Sequence, residues 1–132
     1  MKRVLIVDDE PLFRTILNEY ISEFAECDLA SNGEEALEMY DSAFASGHPY
    51  YLVLLDIYMP VMDGHTLLRS IREREAAHSI EVENRIKAVV ISAGNSPRQV
   101  ADTFFEDQCD DYIIKPFQFD ALKALLIKFN VV

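Results

Sequence analysis

Four short apolar runs, each closed by a polar side chain, constrain this chain more than any other feature. Val4-Leu5-Ile6-Val7 leads to Asp8 and Asp9, Leu52-Val53-Leu54-Leu55 to Asp56, Ala88-Val89-Val90-Ile91 to Ser92, and Tyr112-Ile113-Ile114 to Lys115. Uninterrupted apolar runs of this length read as strands buried on both faces, the pattern of a parallel sheet covered by helices. Open sheets of that kind keep their ligand crevice outside the carboxyl ends of the strands. Three acids, a hydroxyl and an ammonium therefore converge on one sheet edge.

Helical periodicities alternate with the strands. Phe13, Ile16, Leu17, Tyr20, Ile21 and Phe24 recur at helical spacing after Asp9, with Pro11 suited to the first turn. Cys27 to Ala30 is a more polar run, fit for an edge strand. Ser31-Asn32-Gly33-Glu34 has capping-box spacing and predicts a helix to about Ala45. A third helix is expected from Gly64 to about Ala77, with Leu67, Leu68 and Ile71 inward. A polar connection to Lys87 follows, longer than usual for such units. Ser96-Pro97-Arg98-Gln99 reads as a helix start running to Gln108, and a last helix carries Phe119, Leu122, Leu126 and Phe129 inward. Five βα units imply a doubly wound α/β fold with five helices, and the edge-like second strand favours the flavodoxin-like order 2-1-3-4-5.

The 132 residues are read as one domain, half of them hydrophobic, with no apolar run near the roughly 18 residues of a membrane span. About five apolar residues follow the basic start, too few for a signal peptide, so a cytoplasmic protein is expected. The formal net charge of −11 disfavours direct nucleic-acid binding through phosphates. Cys27 and Cys109 match no metal spacing and read as reduced thiols.

Carboxylates crowded at one edge repel and call for a cation. Oxygen ligands on a rigid sheet suit Mg²⁺. Asp9 and Asp56 are the direct ligands expected, with Asp8 acting through water or as a reserve of charge. Helix capping accounts for acids after one strand but not for Asp56 ending another. A carboxylate beside Mg²⁺ can itself accept a phosphoryl group as an aspartyl-phosphate. Lys115, the Ser92 hydroxyl and nearby N–H groups would then neutralise the phosphoryl oxygens.

Val7-Asp8-Asp9-Glu10-Pro11, Leu55-Asp56-Ile57-Tyr58-Met59-Pro60-Val61-Met62-Asp63-Gly64, Val90-Ile91-Ser92-Ala93 and Asp110-Asp111-Tyr112-Ile113-Ile114-Lys115-Pro116-Phe117 resemble the signatures of response regulator receiver domains. The resemblance covers essentially the whole chain. It implies that Asp56 accepts phosphate from a phosphohistidine on a sensor histidine kinase or histidine phosphotransfer protein. It further implies that Asp8, Asp9, Asp56 and the Tyr58 backbone carbonyl hold Mg²⁺. Ser92 and Lys115 would contact the phosphoryl oxygens, Tyr112 would be the switch aromatic, and the Lys115-Pro116 bond would be cis. A signalling module rather than an enzyme is expected, without an output domain, and reaching an unknown protein target through the face of the last two helices. Phe104, Phe105, Phe117 and Val131-Val132 are candidates for that face.

Gln108 and Cys109 stand where such domains often carry glycine and a small residue. Tyr58 is bulky and Gly94 small at the two positions that modulate water access to the acyl phosphate. An alternative is a Mg²⁺-dependent small-molecule phosphatase with an aspartyl-phosphate intermediate. Such enzymes typically place a second carboxylate two residues after the nucleophile, where this chain has Tyr58.

Overall fold

Strands form where the apolar runs predict them, in a computed structural model that describes residues 1–92, 109–115 and 117–132, Ser92 through its backbone. β1 (Arg3–Val7), β2 (Glu26–Ala30), β3 (Leu52–Asp56), β4 (Lys87–Ser92) and β5 (Asp111–Ile114) make one sheet in the order β2-β1-β3-β4-β5. Every pairing is parallel. The described helices are α1 (Pro11–Ile21), α2 (Gly33–Ala45), α3 (Gly64–Ala77) and α4 (Phe119–Lys128), with a 3₁₀ turn at Val82–Asn84. The helix expected from Ser96 to Gln108 lies outside the described residues.

Alternation along the central strands divides the core in two. Leu5, Val7, Val53, Leu55, Ala88 and Val90 point to one side and pack with residues of α2 and α3. Val4, Ile6, Leu52, Leu54, Val89 and Ile91 point to the other and meet Leu17, Ile21, Leu122 and Leu126 of α1 and α4. Every residue of β3 is buried, as an uninterrupted apolar run requires. β2 is the more polar edge, as expected.

Several local expectations need correction. The cap of α2 is Asn32, whose side chain accepts from the Glu35 N–H at 2.8 Å. Ser31 instead donates to the Glu35 carboxylate at 2.8 Å, so the box is shifted by one residue. α1 stops at Ile21, and Phe24 packs from the turn beyond it. Ile16 and Phe119, expected inward, are exposed. The apolar stripe is wider than the sheet face it covers, so its margins remain in solvent. The 80–87 connection is also more ordered than its composition suggests. Buried Glu75 accepts from the Ile86 N–H at 2.7 Å and from Arg72 at 2.6 Å. Cys27 and Cys109 form no disulfide, and burial, with the charge of Asp28, pushes the Cys27 thiol up to about 11.

Candidate functional site

The strand order reverses between β1 and β3, because successive crossovers leave β1 in opposite directions, and a crevice opens there. Register decides what faces it. Val7 pairs with Leu55, so Asp8 follows at the level of Asp56. Asp56 is level with Ile91 and Ser92 with Ile114, which puts Ser92 and Lys115 one step further along the same edge. Carboxylate oxygens of Asp8, Asp9 and Asp56 lie within 4.8 Å of one another. Oxygens sharing an octahedral Mg²⁺ sit about 3–4 Å apart, given metal–oxygen distances of 2.0–2.1 Å. The donor set is therefore of the right type and spacing for that ion, with Asp8 and Asp56 buried and Asp9 more open to solvent.

Asp8 and Asp56 are each fixed by neighbours. Asp8 accepts from the Glu10 N–H at 2.9 Å and from Lys115 at 3.0 Å. Its own carbonyl accepts from Arg14 at 2.6 Å. Asp56 Oδ1 accepts from the Tyr58 N–H at 3.0 Å, while Oδ2 lies 3.4 Å from Lys115 Nζ. Burial raises the Asp56 carboxyl above its ordinary range, against the lowering effects of the Tyr58 N–H and the Lys115 charge. Asp8 adds to the rise through its charge. For Lys115, burial would lower the ammonium, but the Asp8 hydrogen bond and the charges of Asp56 and Asp8 outweigh it and raise it.

Two contacts on Lys115 were not anticipated. Glu10 approaches its ammonium at 3.4 Å, and the Phe13 ring centroid lies 4.0 Å from Nζ. Phe13 in turn meets Phe117 edge to face at 5.7 Å. The aromatic pair thus braces the lysine between α1 and the segment after β5. Proximity of Glu10 to the acids was visible in the sequence; the role of Phe13, read as a core residue, was not.

The loop from β3 to α3 is held by close backbone approach. A Cβ on Gly64 would stand 2.4 Å from the Asp56 carbonyl oxygen and 2.7 Å from the Ile57 Cα, and one on Gly33 would lie 2.7 Å from the Met62 carbonyl. Asp63 caps α3 by accepting from the Thr66 N–H at 2.8 Å, and that bond holds its carboxyl below the usual range. Tyr58 is 49% exposed, so its side chain stands over the rim rather than in the core. Tyr112 lies on edge strand β5 and is partly exposed. The Ser92 side chain, Gly94, Phe104, Phe105, Gln108 and the Lys115-Pro116 bond lie outside what is described.

This geometry has counterparts. The family model of the response regulator receiver domain matches residues 4–127. The chain belongs to this family. A two-component response regulator of rice, Oryza sativa subsp. japonica, is 35% identical over 99% of this chain and 96% of its own length. A probable C4-dicarboxylate response regulator of Bacillus subtilis is 28% identical, and the receiver spans 52% of it. Among solved structures, the response regulator TrrA of Thermotoga maritima, in complex with Mg²⁺ and BeF, is 37% identical with a TM-score of 0.76. The alignment covers 98% of this chain and 99% of that one. The receiver domain of Saccharomyces cerevisiae Ssk1, crystallised with the histidine phosphotransfer protein Ypd1, is 25% identical with a TM-score of 0.82. It covers 97% and 88% of the two chains. The chain is thus a receiver domain of two-component signalling, a signalling module. Among the described residues no helix is long and apolar enough to cross a membrane.

Proposed function

We propose that this receiver accepts a phosphoryl group on Asp56 from a phosphohistidine of a histidine kinase or phosphotransfer protein, with Mg²⁺ held by Asp8, Asp9, Asp56 and the Tyr58 carbonyl. The observation that carries the reading is the convergence of Asp8, Asp9 and Lys115 on the buried Asp56 carboxylate. Bound Mg²⁺ would supply positive charge to the phosphoryl oxygens and relieve repulsion among the acids. An Asp56 carboxylate oxygen attacks phosphorus, the phosphorus–imidazole bond breaks, and its electron pair stays on the histidine nitrogen. Lys115, which pairs with Asp8 and Asp56 beforehand, follows the charge onto the phosphoryl oxygens. Ser92 donates to another of them and Tyr112 responds to its movement. These last two roles rest on position at the strand ends and on the family.

The donor's approach is supported by α1. It starts directly after the acids and leaves Leu12, 74% exposed, and Ile16 in solvent at i and i+4. An apolar pair on a helix beside the site suits a helical phosphohistidine carrier. The deciding experiment is Mg²⁺-dependent labelling by acetyl phosphate. One phosphoryl group per chain, lost with EDTA and in Asp56→Asn, is the result expected. Labelling that persists in Asp56→Asn overturns the reading.

A further inference from the structure

We propose a second ligand site at the far end of the sheet, where Arg85 and Lys87 bind a compact anion, a phosphate or a dicarboxylate. A cavity of about 270 Å³ lies beside the connection from α3 to β4, and its lining includes Arg72, Val82, Arg85, Lys87, Cys109 and Asp110. It opens where β4 begins, so it lies about 16 Å, five strand rises, from Ser92. Phosphate chemistry at Asp56 does not use it.

Backbone geometry aims two cations at this space. Arg85 is extended, with φ −71° and ψ 151°, so the side chains of Arg85 and Lys87 leave one side of the chain while Ile86 turns into the core. Arg85 Nε donates to the Ile80 carbonyl at 3.3 Å. Among the described residues, no carboxylate reaches its guanidinium or the Lys87 ammonium within ion-pair distance, although both residues are half-buried. By contrast, Arg72 in the same cavity and Arg3, Arg74, Lys115 and Lys128 elsewhere each meet a carboxylate. Arg85 and Lys87 are thus two neighbouring half-buried cations with no carboxylate partner among the described residues, in a chain with 23 acidic and 12 basic side chains. Partial desolvation without a counter-charge is costly, and an anion in the cavity removes that cost.

The acid lining the cavity does not fill this need. Asp110 Oδ2 already accepts from the Ala88 N–H at 2.7 Å and from Arg72 at 3.1 Å. Arg72 with its two acids, Glu75 and Asp110, carries one excess negative charge, and Arg85 with Lys87 brings two positive ones. The remaining balance is positive, in a molecule of net charge −11. A planar guanidinium fork beside an ammonium suits an anion with two charged oxygens. The volume, just below that of sites for drug-sized ligands, selects a small one.

The test uses the full chain, with inorganic phosphate and malonate titrated at constant ionic strength and amide shifts followed by NMR. Saturable shifts at residues 85–88 and 110 for at least one probe, with half-saturation near 1 mM or tighter, are expected. At least a tenfold loss of that affinity is expected in the Arg85→Gln/Lys87→Gln double variant. Phosphate alone, malonate alone or both would then name the chemistry. Non-saturating shifts with both probes, shifts confined to the Asp8, Asp56 and Lys115 region, or unchanged affinity in the double variant overturn the proposal. Acetyl phosphate labelling of Asp56, measured in parallel, is expected to be unaffected by the substitutions.

Discussion

Asp56 carries two opposed demands, burial that disfavours its charge and a proposed phosphoacceptor chemistry that needs it. Its folded-state pKa is raised by burial, against the Tyr58 N–H and Lys115. A raised carboxylate pKa means that the folded state binds a proton more tightly than the unfolded one. Stability is therefore lost as pH rises from the ordinary carboxylate range through the raised value. In the absence of Mg²⁺, Asp56→Asn is expected to melt at a higher temperature than wild type at pH 7. The difference should vanish once both states are protonated in acid, which thermal melts across pH 3–7 would check. A wild type that melts higher at pH 7 would contradict this. Tyr58, on the exposed rim two residues on, is expected to shield the acyl phosphate from water. Tyr58→Asn should then lose phosphate severalfold faster, and a rate no faster than wild type would contradict the shielding role. Val61 sits at φ 71° and is 77% exposed, a left-handed conformation that costs a β-branched residue about 1–2 kcal/mol. Asparagine tolerates it better, so Val61→Asn should gain about 1 kcal/mol in urea unfolding.

Elements are tied together by a few polar anchors that apolar periodicity does not reveal. Glu75 of α3 is buried and holds both Arg72 and the Ile86 N–H, so it fastens α3 to the start of β4. Glu75→Ala leaves Arg72 short of a partner and the Ile86 amide unsatisfied. A loss of about 3–5 kcal/mol is expected by denaturant unfolding, the range for breaking a buried pair. At the other end, α1 presents Leu12 and Ile16 beside the acids. Leu12→Asp should slow transfer from a cognate phosphohistidine protein at least tenfold while leaving acetyl phosphate labelling unchanged. Equal slowing of both reactions would place Leu12 in the fold rather than at the docking face. The capping of α2 illustrates a limit of local reading. Capping-box spacing pointed to Ser31, whereas Asn32 is the cap, and the close approach of Gly33 to Met62 accompanies that shift.

At the scale of the molecule, parallel topology brings four sequence-distant strand ends to one edge of the sheet, where the candidate site lies. The acids at positions 8, 9 and 56 were legible because a polar residue that ends a buried strand has few places to point. Lys115 was legible by the same rule, from the opposite edge of the sheet. Its contacts with Glu10 and Phe13 were not, since they depend on how α1 leans across the crevice. The 80–87 connection shows the reverse. A charged, aperiodic stretch carries no pattern, yet its two cations share a cavity once β4 pairs with β3 and β5.

Period and punctuation in the chain were enough for the sheet, its parallel sense, its edge strand and the identity of the acids at its rim. Those features follow from local burial, because a strand covered on both faces must be apolar throughout and can change character only at its end. Distances between the acids, the sharing of Lys115 among three carboxylates and the raised pKa of Asp56 came from packing. They depend on register and on the tilt of neighbouring helices, and electrostatic energy varies with separations and burial that no linear pattern encodes.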